Sequence, residues 1–164
     1  MFHYSKHNPY SAIIVDAKYH SRPELSRYFG RKYAGEIAPD GFFLGVDALV
    51  PVPMHWMKKV RRGYNQAEEI AQGISEVTGI EIISDALRAA RHSTQTRKGV
   101  SGRRENARSI YSVADPGLIE GKHILLVDDV ITTGATLVGC CEAIHASAPG
   151  CHVSVVALAA TAKM

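Results

Sequence analysis

The sequence predicts an α/β fold in which an open parallel sheet carries helices on both faces. Two apolar runs, Ile124–Val127 and Val153–Ala159, fit strands buried on both sides. Segments with helical spacing separate the strand candidates, and this alternation is typical of parallel sheets with right-handed crossovers. A chain of 164 residues is long enough for one well-buried core and too short for two typical domains.

The N-terminal part of the chain predicts two helices and then a strand. Tyr10–His20 and Glu24–Ile37 have apolar residues at helical spacing, and Pro23 between them suits a first helical turn. The first core strand is predicted at Asp47–Val52. Proline cannot donate to a sheet ladder, so Pro51 and Pro53 mark its end.

The rest of the chain continues the alternation. A helix opens at Tyr64 and Asn65 and stops at Thr78-Gly79, because glycine commonly ends helices. Ser84-Asp85 reads as a turn between two weaker strand candidates. The remaining predicted elements are strands at Ile80–Ile83, Ala86–Ala90, Ile110–Val113 and Ile124–Val127, a helix at Gly134–Ala146 ended by Pro149-Gly150, and a last strand at Val153–Ala159.

A long polar loop is predicted at Arg91–Asn106, where no packing period is present. Loops of this length are usually functional or disordered. Basic residues dominate this segment, and Lys58–Arg62 forms a second basic cluster. Solvated surface and nucleic-acid binding are alternatives to phosphate binding, but regularly interleaved aromatics are absent.

Two adjacent carboxylates follow the most apolar strand. Asp128 and Asp129 cannot stay charged inside a covered sheet, so the strand is expected to end there, at the edge where open α/β sheets bind ligands. The loop Thr132–Thr136 then supplies hydroxyls, and Gly134 is free to take a positive φ. Backbone N–H groups at the start of the next helix make an anion site, so the segment predicts a sugar-phosphate site.

Two rival interpretations explain less of this segment. Val-Asp-Asp also ends the first strand of response-regulator receiver domains, but too few residues follow Asp129 for such a domain. An acidic strand end that caps a helix explains Asp129 and one threonine. It leaves the second acid, the glycine and two threonines unexplained.

Three segments carry a resemblance to a known family. Ile124–Thr136 resembles the ribose-phosphate motif of type I phosphoribosyltransferases, which bind 5-phosphoribosyl-1-pyrophosphate. Val50–His55 with Arg61–Ala67, and Arg97 with Arg103–Asn106, resemble the ComF (competence protein) branch of that family. The resemblance implies the type I phosphoribosyltransferase fold, with a small N-terminal helical or hood segment at residues 1–45 and the core at residues 46–164, within one structural domain.

The resemblance also implies roles for individual residues. The expected activity is transfer of a phosphoribosyl group from 5-phosphoribosyl-1-pyrophosphate, with Mg2+, to an unknown acceptor; the alternative is a non-enzymatic adaptor or sugar-phosphate sensor in DNA uptake. Asp128, Asp129, Arg97 and Lys98 are the expected catalytic residues, and both carboxylates are also candidates for touching Mg2+ that the substrate carries. The ribose 5-phosphate is expected at Asp128, Asp129, Thr132, Thr133, Gly134, Ala135 and Thr136, and the pyrophosphate at Val52, Pro53, Met54 and Arg61.

Composition sets the remaining expectations. Hydrophobic residues at 46% and charged residues at 21% are ordinary for a globular protein, and no apolar run reaches membrane-helix length or forms a signal peptide. We therefore expect a cytoplasmic protein without membrane contact. A second copy of the chain and the DNA-uptake machinery or nucleic acid are further candidate partners. Cys140, Cys141 and Cys151 lack metal-ligand spacing and are expected as small packed thiols.

Overall fold

The computed structural model describes residues 2–4, 22–90 and 110–161. Within these residues, five parallel strands form one sheet in the order β1-β7-β6-β2-β3, and β4 and β5 form a separate antiparallel pair. The strands are β1 (Phe2–Tyr4), β2 (Ala48–Pro51), β3 (Glu81–Ile82), β4 (Leu87–Ala89), β5 (Tyr111–Val113), β6 (His123–Ile131) and β7 (His152–Thr161).

Helices cover both faces of the main sheet, as predicted. They are α1 (Pro23–Ile37), α2 (Trp56–Arg62), α3 (Gln66–Thr78) and α4 (Ala135–Ser147), with short 3-10 turns at Ala38–Asp40 and Pro116–Leu118. On one face, Leu125 and Val127 pack with residues of α1 and α3, whereas Leu126 on the other face packs with residues of α4. All three side chains are fully buried, which confirms a strand covered on both sides.

The predicted end of the central strand is wrong. β6 does not stop before Asp128 but continues to Ile131. Its neighbour β2 ends at Pro51, opposite Val127, whereas β7 still pairs with β6 at Asp128 and beyond. Beyond Val127, β6 is therefore hydrogen-bonded to β7 on one edge and has no β2 partner on the other. Both carboxylates escape full burial there, which removes the physical reason for ending the strand.

Three other elements differ from the sequence prediction. The first core strand along the chain is β1, which pairs with β7, so the predicted strand at Asp47–Val52 is the second. The basic cluster at Lys58–Arg62 lies on the short helix α2. The predicted strands Ala86–Ala90 and Ile110–Val113 form the β4–β5 pair outside the parallel sheet. The predicted helix Tyr10–His20 lies outside the described residues.

Helix α1 belongs to the same core as the strands that follow it. Ala34 of α1 is fully buried in one cluster with Leu49, Ile70 and Leu125. Residues on both sides of the proposed boundary at residue 45 therefore share a core, as one structural domain requires. The hood role of residues 1–45 stays a prediction.

Close packing of α1 against α3 depends on two glycines. A Cβ at Gly73 would collide with the backbone of Arg27 and Arg31, and one at Gly30 with the backbone of Ile70. Ion pairs rim the same contact, with Arg31 Nη1 2.8 Å from Glu76 Oε2. The two helices approach this closely because neither glycine carries a side chain at the crossing.

We predict that Gly73→Ala lowers the free energy of unfolding by about 1–3 kcal/mol, because the new methyl forces backbone apart in a packed contact. Gly35 on α1 is the matched control, since a Cβ there meets nothing within 4 Å. Gly35→Ala should raise the same free energy by up to about 1 kcal/mol through helix propensity. Urea denaturation measures both changes, and equal effects at the two positions would contradict the packing argument.

Candidate functional site

A cavity of about 230 Å³ lies at the carboxyl edge of the parallel sheet. Its walls come from five parts of the chain: the loop after β2, the end of α2, the start of α3, the β4–β5 pair, and the end of β6 with the first turn of α4. This is the edge at which open α/β sheets bind ligands. The residues most relevant to its chemistry are Arg62, Asn65, Tyr111, Asp128, Asp129 and Thr136.

The cavity brings together residues that the sequence assigned to opposite ends of one ligand. Val52, Pro53 and Met54, expected at a pyrophosphate, line it together with Asp128 and Asp129. Thr136, from the loop expected to hold the 5-phosphate, also lines this cavity. Thr132, Thr133, Gly134, Ala135 and Arg61 are not among its lining residues, and Arg97 and Lys98 lie outside the described residues.

The two carboxylates face different sides of the sheet while lining one cavity. Successive side chains of a strand alternate, so Asp128 follows Leu126 toward α4 and Asp129 follows Val127 toward α1 and α3. Each carboxylate is also tied to the strand, because Asp128 Oδ1 accepts from Asp129 N at 2.8 Å and Asp129 Oδ1 accepts from Val130 N at 2.7 Å. The pair can therefore reach two neighbouring groups of a ligand.

The loop after β6 leads directly into the N-terminus of α4. Gly134 has a φ of 75° and precedes the first residue of α4, which confirms its predicted conformation. Thr133 Oγ1 accepts from Ala135 N at 3.4 Å. The 13-residue helix α4 begins here and points its positive end toward the loop. Thr136 lies in the first turn of this helix and lines the cavity.

Asn65 connects the loop after β2 to helix α3. Its Oδ1 accepts from Ala67 N at 3.2 Å and so caps α3, while its Nδ2 donates to Val52 O at 3.0 Å. The side chain is only 4% exposed. The loop is therefore positioned by a buried amide that uses both of its polar atoms.

Arg62, and not Arg61, is the α2 arginine that lines the cavity. Its Nη1 donates to Gln66 Oε1 at 3.2 Å, and Gln66 is itself buried. Arg61 is exposed. The sequence offered the whole cluster Lys58–Arg62 for phosphate binding and singled out Arg61 within it, whereas Asn65 and Gln66 were not predicted to line a site. Asparagine before a helical pattern signals a cap, but nothing in the sequence says which of two adjacent arginines faces a cavity.

Tyr111 lines the cavity, and Tyr64 lies close enough to the site for its pKa to respond to the Asp129 carboxylate. Burial raises the pKa of Tyr111, against the opposing effect of a hydrogen bond with the Thr136 side chain. Burial also raises the pKa of Tyr64, which Arg62 partly offsets. Both phenols are therefore neutral at pH 7. The pairing of β4 with β5 places Tyr111 at the cavity, and the sequence did not predict this pairing.

The donor set of the site fits Mg2+ that a substrate carries. Within residues 2–4, 22–90 and 110–161, no group of three or more His, Cys, Asp or Glu side chains could hold a metal ion. Asp128 and Asp129 nevertheless offer carboxylate oxygens to one cavity. Magnesium typically takes one or two carboxylates and completes its shell with water and phosphate oxygens.

The three cysteines are free thiols, and Cys140 is buried on α4 as expected. Burial raises the pKa of Cys140 to about 12 from its usual 9.0. Between these pH values the unfolded chain has lost this proton and the folded chain keeps it. The thiol therefore makes the free energy of unfolding fall as pH rises through that range.

We predict that this alkaline slope is shallower in Cys140→Ala than in the parent chain. Burial also raises the pKa values of Cys141 and Cys151, so the difference between the two proteins isolates Cys140. Denaturant titrations below pH 9 and between 9 and 12 give the slopes. An unchanged slope would contradict the assignment.

Residues 28–163 match the model of the phosphoribosyl transferase domain. The chain belongs to this family. Its curated relatives place this phosphoribosyltransferase domain in the ComF branch. Competence protein F of Haemophilus influenzae is 37% identical over 94 residues, covering 56% of this chain and 41% of that protein.

A second relative covers more of this phosphoribosyltransferase domain. DNA utilization protein YhgH of Escherichia coli (strain K12) is 29% identical over 134 residues, covering 79% of the chain and 58% of that protein. The chain thus spans about half the length of the curated relatives it matches, between 41% and 58%.

A solved structure supports the fold of the ComF-family domain. Glutamine phosphoribosylpyrophosphate amidotransferase from B. subtilis superposes with a TM-score of 0.60 at 21% identity, covering 88% of this chain and 30% of that one. This likeness confirms the predicted type I phosphoribosyltransferase fold. Among the helices of the described segments, none has the length and apolar character needed to cross a membrane.

Proposed function

We propose that this domain binds 5-phosphoribosyl-1-pyrophosphate with Mg2+ and transfers the phosphoribosyl group to an unknown acceptor, releasing pyrophosphate. One observation carries the proposal: the loop Val52–Met54 and the pair Asp128 and Asp129 line a single cavity. A ligand with a diphosphate at one end and a sugar at the other would use both groups. Thr136 and the start of α4 then receive the 5-phosphate.

The ribose end of the site is built to hold hydroxyls and positive charge. Asp128 and Asp129 accept hydrogen bonds from ribose hydroxyls. As the bond to the diphosphate breaks, the sugar carbon becomes cationic, and Asp129 stabilises that charge or takes the proton of the nucleophile. Fixed charge at the place where charge develops accounts for the catalysis without a protein nucleophile.

The diphosphate end of the site is built from backbone and cations. Asn65 holds the loop through Val52 O. The Val52 N–H donates to Val127 O and Pro53 has no N–H, so the Met54 N–H is the loop donor for the leaving group. Arg62 lines this part of the cavity and its guanidinium suits bidentate phosphate contact. Arg61, Arg97 and Lys98 stay in the proposal as further cations. Mg2+ carried by the substrate would neutralise charge on the diphosphate, and Asp128 and Asp129 are the cavity carboxylates that would contact it.

Release of pyrophosphate from 5-phosphoribosyl-1-pyrophosphate tests the proposal, with Mg2+ and a panel of nucleobases, amines and carboxylic acids as acceptors. Release that depends on one acceptor and is lost in Asp129→Asn would establish transfer. If 5-phosphoribosyl-1-pyrophosphate binds but no acceptor gives release of pyrophosphate, the proposed transferase activity is wrong.

The names of the relatives favour a second candidate, a non-enzymatic adaptor or sugar-phosphate sensor in DNA uptake. One relative is a competence protein and the other a DNA utilization protein. DNA binding with a steep salt dependence, lost on neutralising Arg97 and Arg103, would support this candidate. A cytoplasmic location and a homodimer remain predictions under either function.

A further inference from the structure

A second cavity, of about 630 Å³, lies on the other side of the loop after β2. It is within the range of small-molecule sites, which are typically about 300–1,000 Å³. Pro53, Met54 and Ala89 line both cavities, so the loop after β2 and the end of β4 form the wall between them. The residues found only in the second cavity include Trp56, Glu68, Ser84, Asp85, Leu87 and Arg88.

The order of the strands separates this cavity from the acceptor of the proposed transfer. Ser84 and Asp85 follow β3, which lies outside β2, whereas the two carboxylates lie on β6 on the inner side of β2. The proposed diphosphate sits between them, on the loop after β2. A nucleophile that displaces the diphosphate must approach from the opposite side of the sugar. The second cavity lies on the leaving-group side and therefore suits a different ligand.

The lining of the second cavity combines a planar aromatic surface with hydrogen-bond acceptors and a hydrogen-bond donor. Trp56 is 48% exposed, and Met54 and Leu87 add apolar surface. Asp85 and Glu68 carry carboxylates, which only accept hydrogen bonds, while the Arg88 guanidinium only donates them. A flat ring that presents both N–H donors and acceptors matches this set. A hydrocarbon ligand would leave the polar side chains of the lining without hydrogen bonds. A polyamine would be repelled by the positive charge of Arg88.

We propose that the second cavity binds a nucleobase bearing an exocyclic amino group, stacked on Trp56, with its N–H groups donated to Asp85 and Glu68. Base stacking on aromatic side chains is a recurrent source of nucleobase affinity. Arg88 donates to a ring nitrogen or carbonyl of the base. The ligand packs against the back of the loop Pro53–Met54 and binds without any need for 5-phosphoribosyl-1-pyrophosphate.

Trp56 gives this proposal a direct readout, because it is the chain's one tryptophan. Its indole N–H yields one resonance in a 15N-edited NMR spectrum, and its shift is followed during titration with nucleosides in the absence of any sugar phosphate. Guanosine and inosine differ by an amino group, and cytidine carries an amino group where uridine has an oxygen. Guanosine and cytidine are expected to shift the resonance saturably and to bind at least about five-fold more tightly than their partners.

A side-chain substitution tests the same site from the protein side. Asp85 is exposed, so Asp85→Ala should fold normally and weaken guanosine binding by about ten-fold, as for a lost hydrogen bond to a charged group. Glu142→Ala is the matched control, since Glu142 is exposed on α4 and lines neither cavity. Short single-stranded oligonucleotides of the same bases tell a free nucleoside from a base presented by a strand.

Three results would overturn the proposal. One is an indole resonance that stays still with every nucleoside and oligonucleotide at millimolar concentration. Another is equal affinity for the amino-bearing bases and their partners. The third is unchanged affinity in Asp85→Ala. All three measurements are made without a sugar phosphate, so they can succeed even if the domain transfers no phosphoribosyl group. Failure of the nucleobase proposal is therefore distinguishable from failure of the proposed transferase activity.

Discussion

Replacing both Asp128 and Asp129 by asparagine is expected to weaken binding of 5-phosphoribosyl-1-pyrophosphate by about a hundred-fold, since each lost charged hydrogen bond costs roughly ten-fold. The fold should survive, because an asparagine Oδ1 still accepts from the backbone N–H groups of Asp129 and Val130. Isothermal titration calorimetry with Mg2+ gives the affinity, and thermal unfolding reports the fold.

Asp40→Asn is the matched control for this change. Asp40 is exposed in the 3-10 turn after α1 and does not line the cavity. It should leave the affinity unaltered. If the double variant binds as tightly as the parent chain, the carboxylate pair does not hold the sugar.

Asn65→Ala is expected to lower the free energy of unfolding by about 2–4 kcal/mol, combining a lost helix cap with an unpaired buried carbonyl. The side chain is buried and serves both Ala67 N and Val52 O. Denaturant unfolding measures the loss. The same variant should bind inorganic pyrophosphate more weakly, because the loop after β2 loses its tie to α3.

Asn65→Ser separates the two roles. Serine caps helices about as well as asparagine, but it is too short to reach Val52 O. The serine variant should therefore regain much of the stability while its affinity for pyrophosphate stays low. Full recovery of both properties would show that the bond to Val52 O does not position the loop.

The apolar pattern was sufficient to predict most of the parallel sheet. Leu125, Leu126 and Val127 form a run that fits a strand covered on both faces, and they are fully buried on both sides of β6. The end of that strand could not be predicted in the same way. It depends on β7 continuing to pair after β2 has stopped, which is a property of two distant segments.

The composition of the site was predictable, but the choice between neighbouring residues was not. The carboxylates and the proline-marked loop carry their chemistry in their residue types, and both line the cavity. Which arginine faces it depends on the rotation of the seven-residue helix α2. The apolar residues of that helix, Trp56, Met57 and Val60, are all exposed, so burial of an apolar face does not set this rotation. The second cavity depends on the β4–β5 pair, which no local pattern predicts.

The central claim is that one ligand spans the site, with a diphosphate at the loop Val52–Met54 and a sugar phosphate at Asp128, Asp129 and the start of α4. Calorimetry of the parent chain with 5-phosphoribosyl-1-pyrophosphate, ribose 5-phosphate and inorganic pyrophosphate, each with Mg2+, tests it most directly. The whole ligand should bind at least about a hundred-fold more tightly than either fragment, because joining two fragments makes the second contact intramolecular. Both fragments should compete with it. Equal affinity for the whole ligand and for ribose 5-phosphate, without competition by pyrophosphate, would contradict the claim.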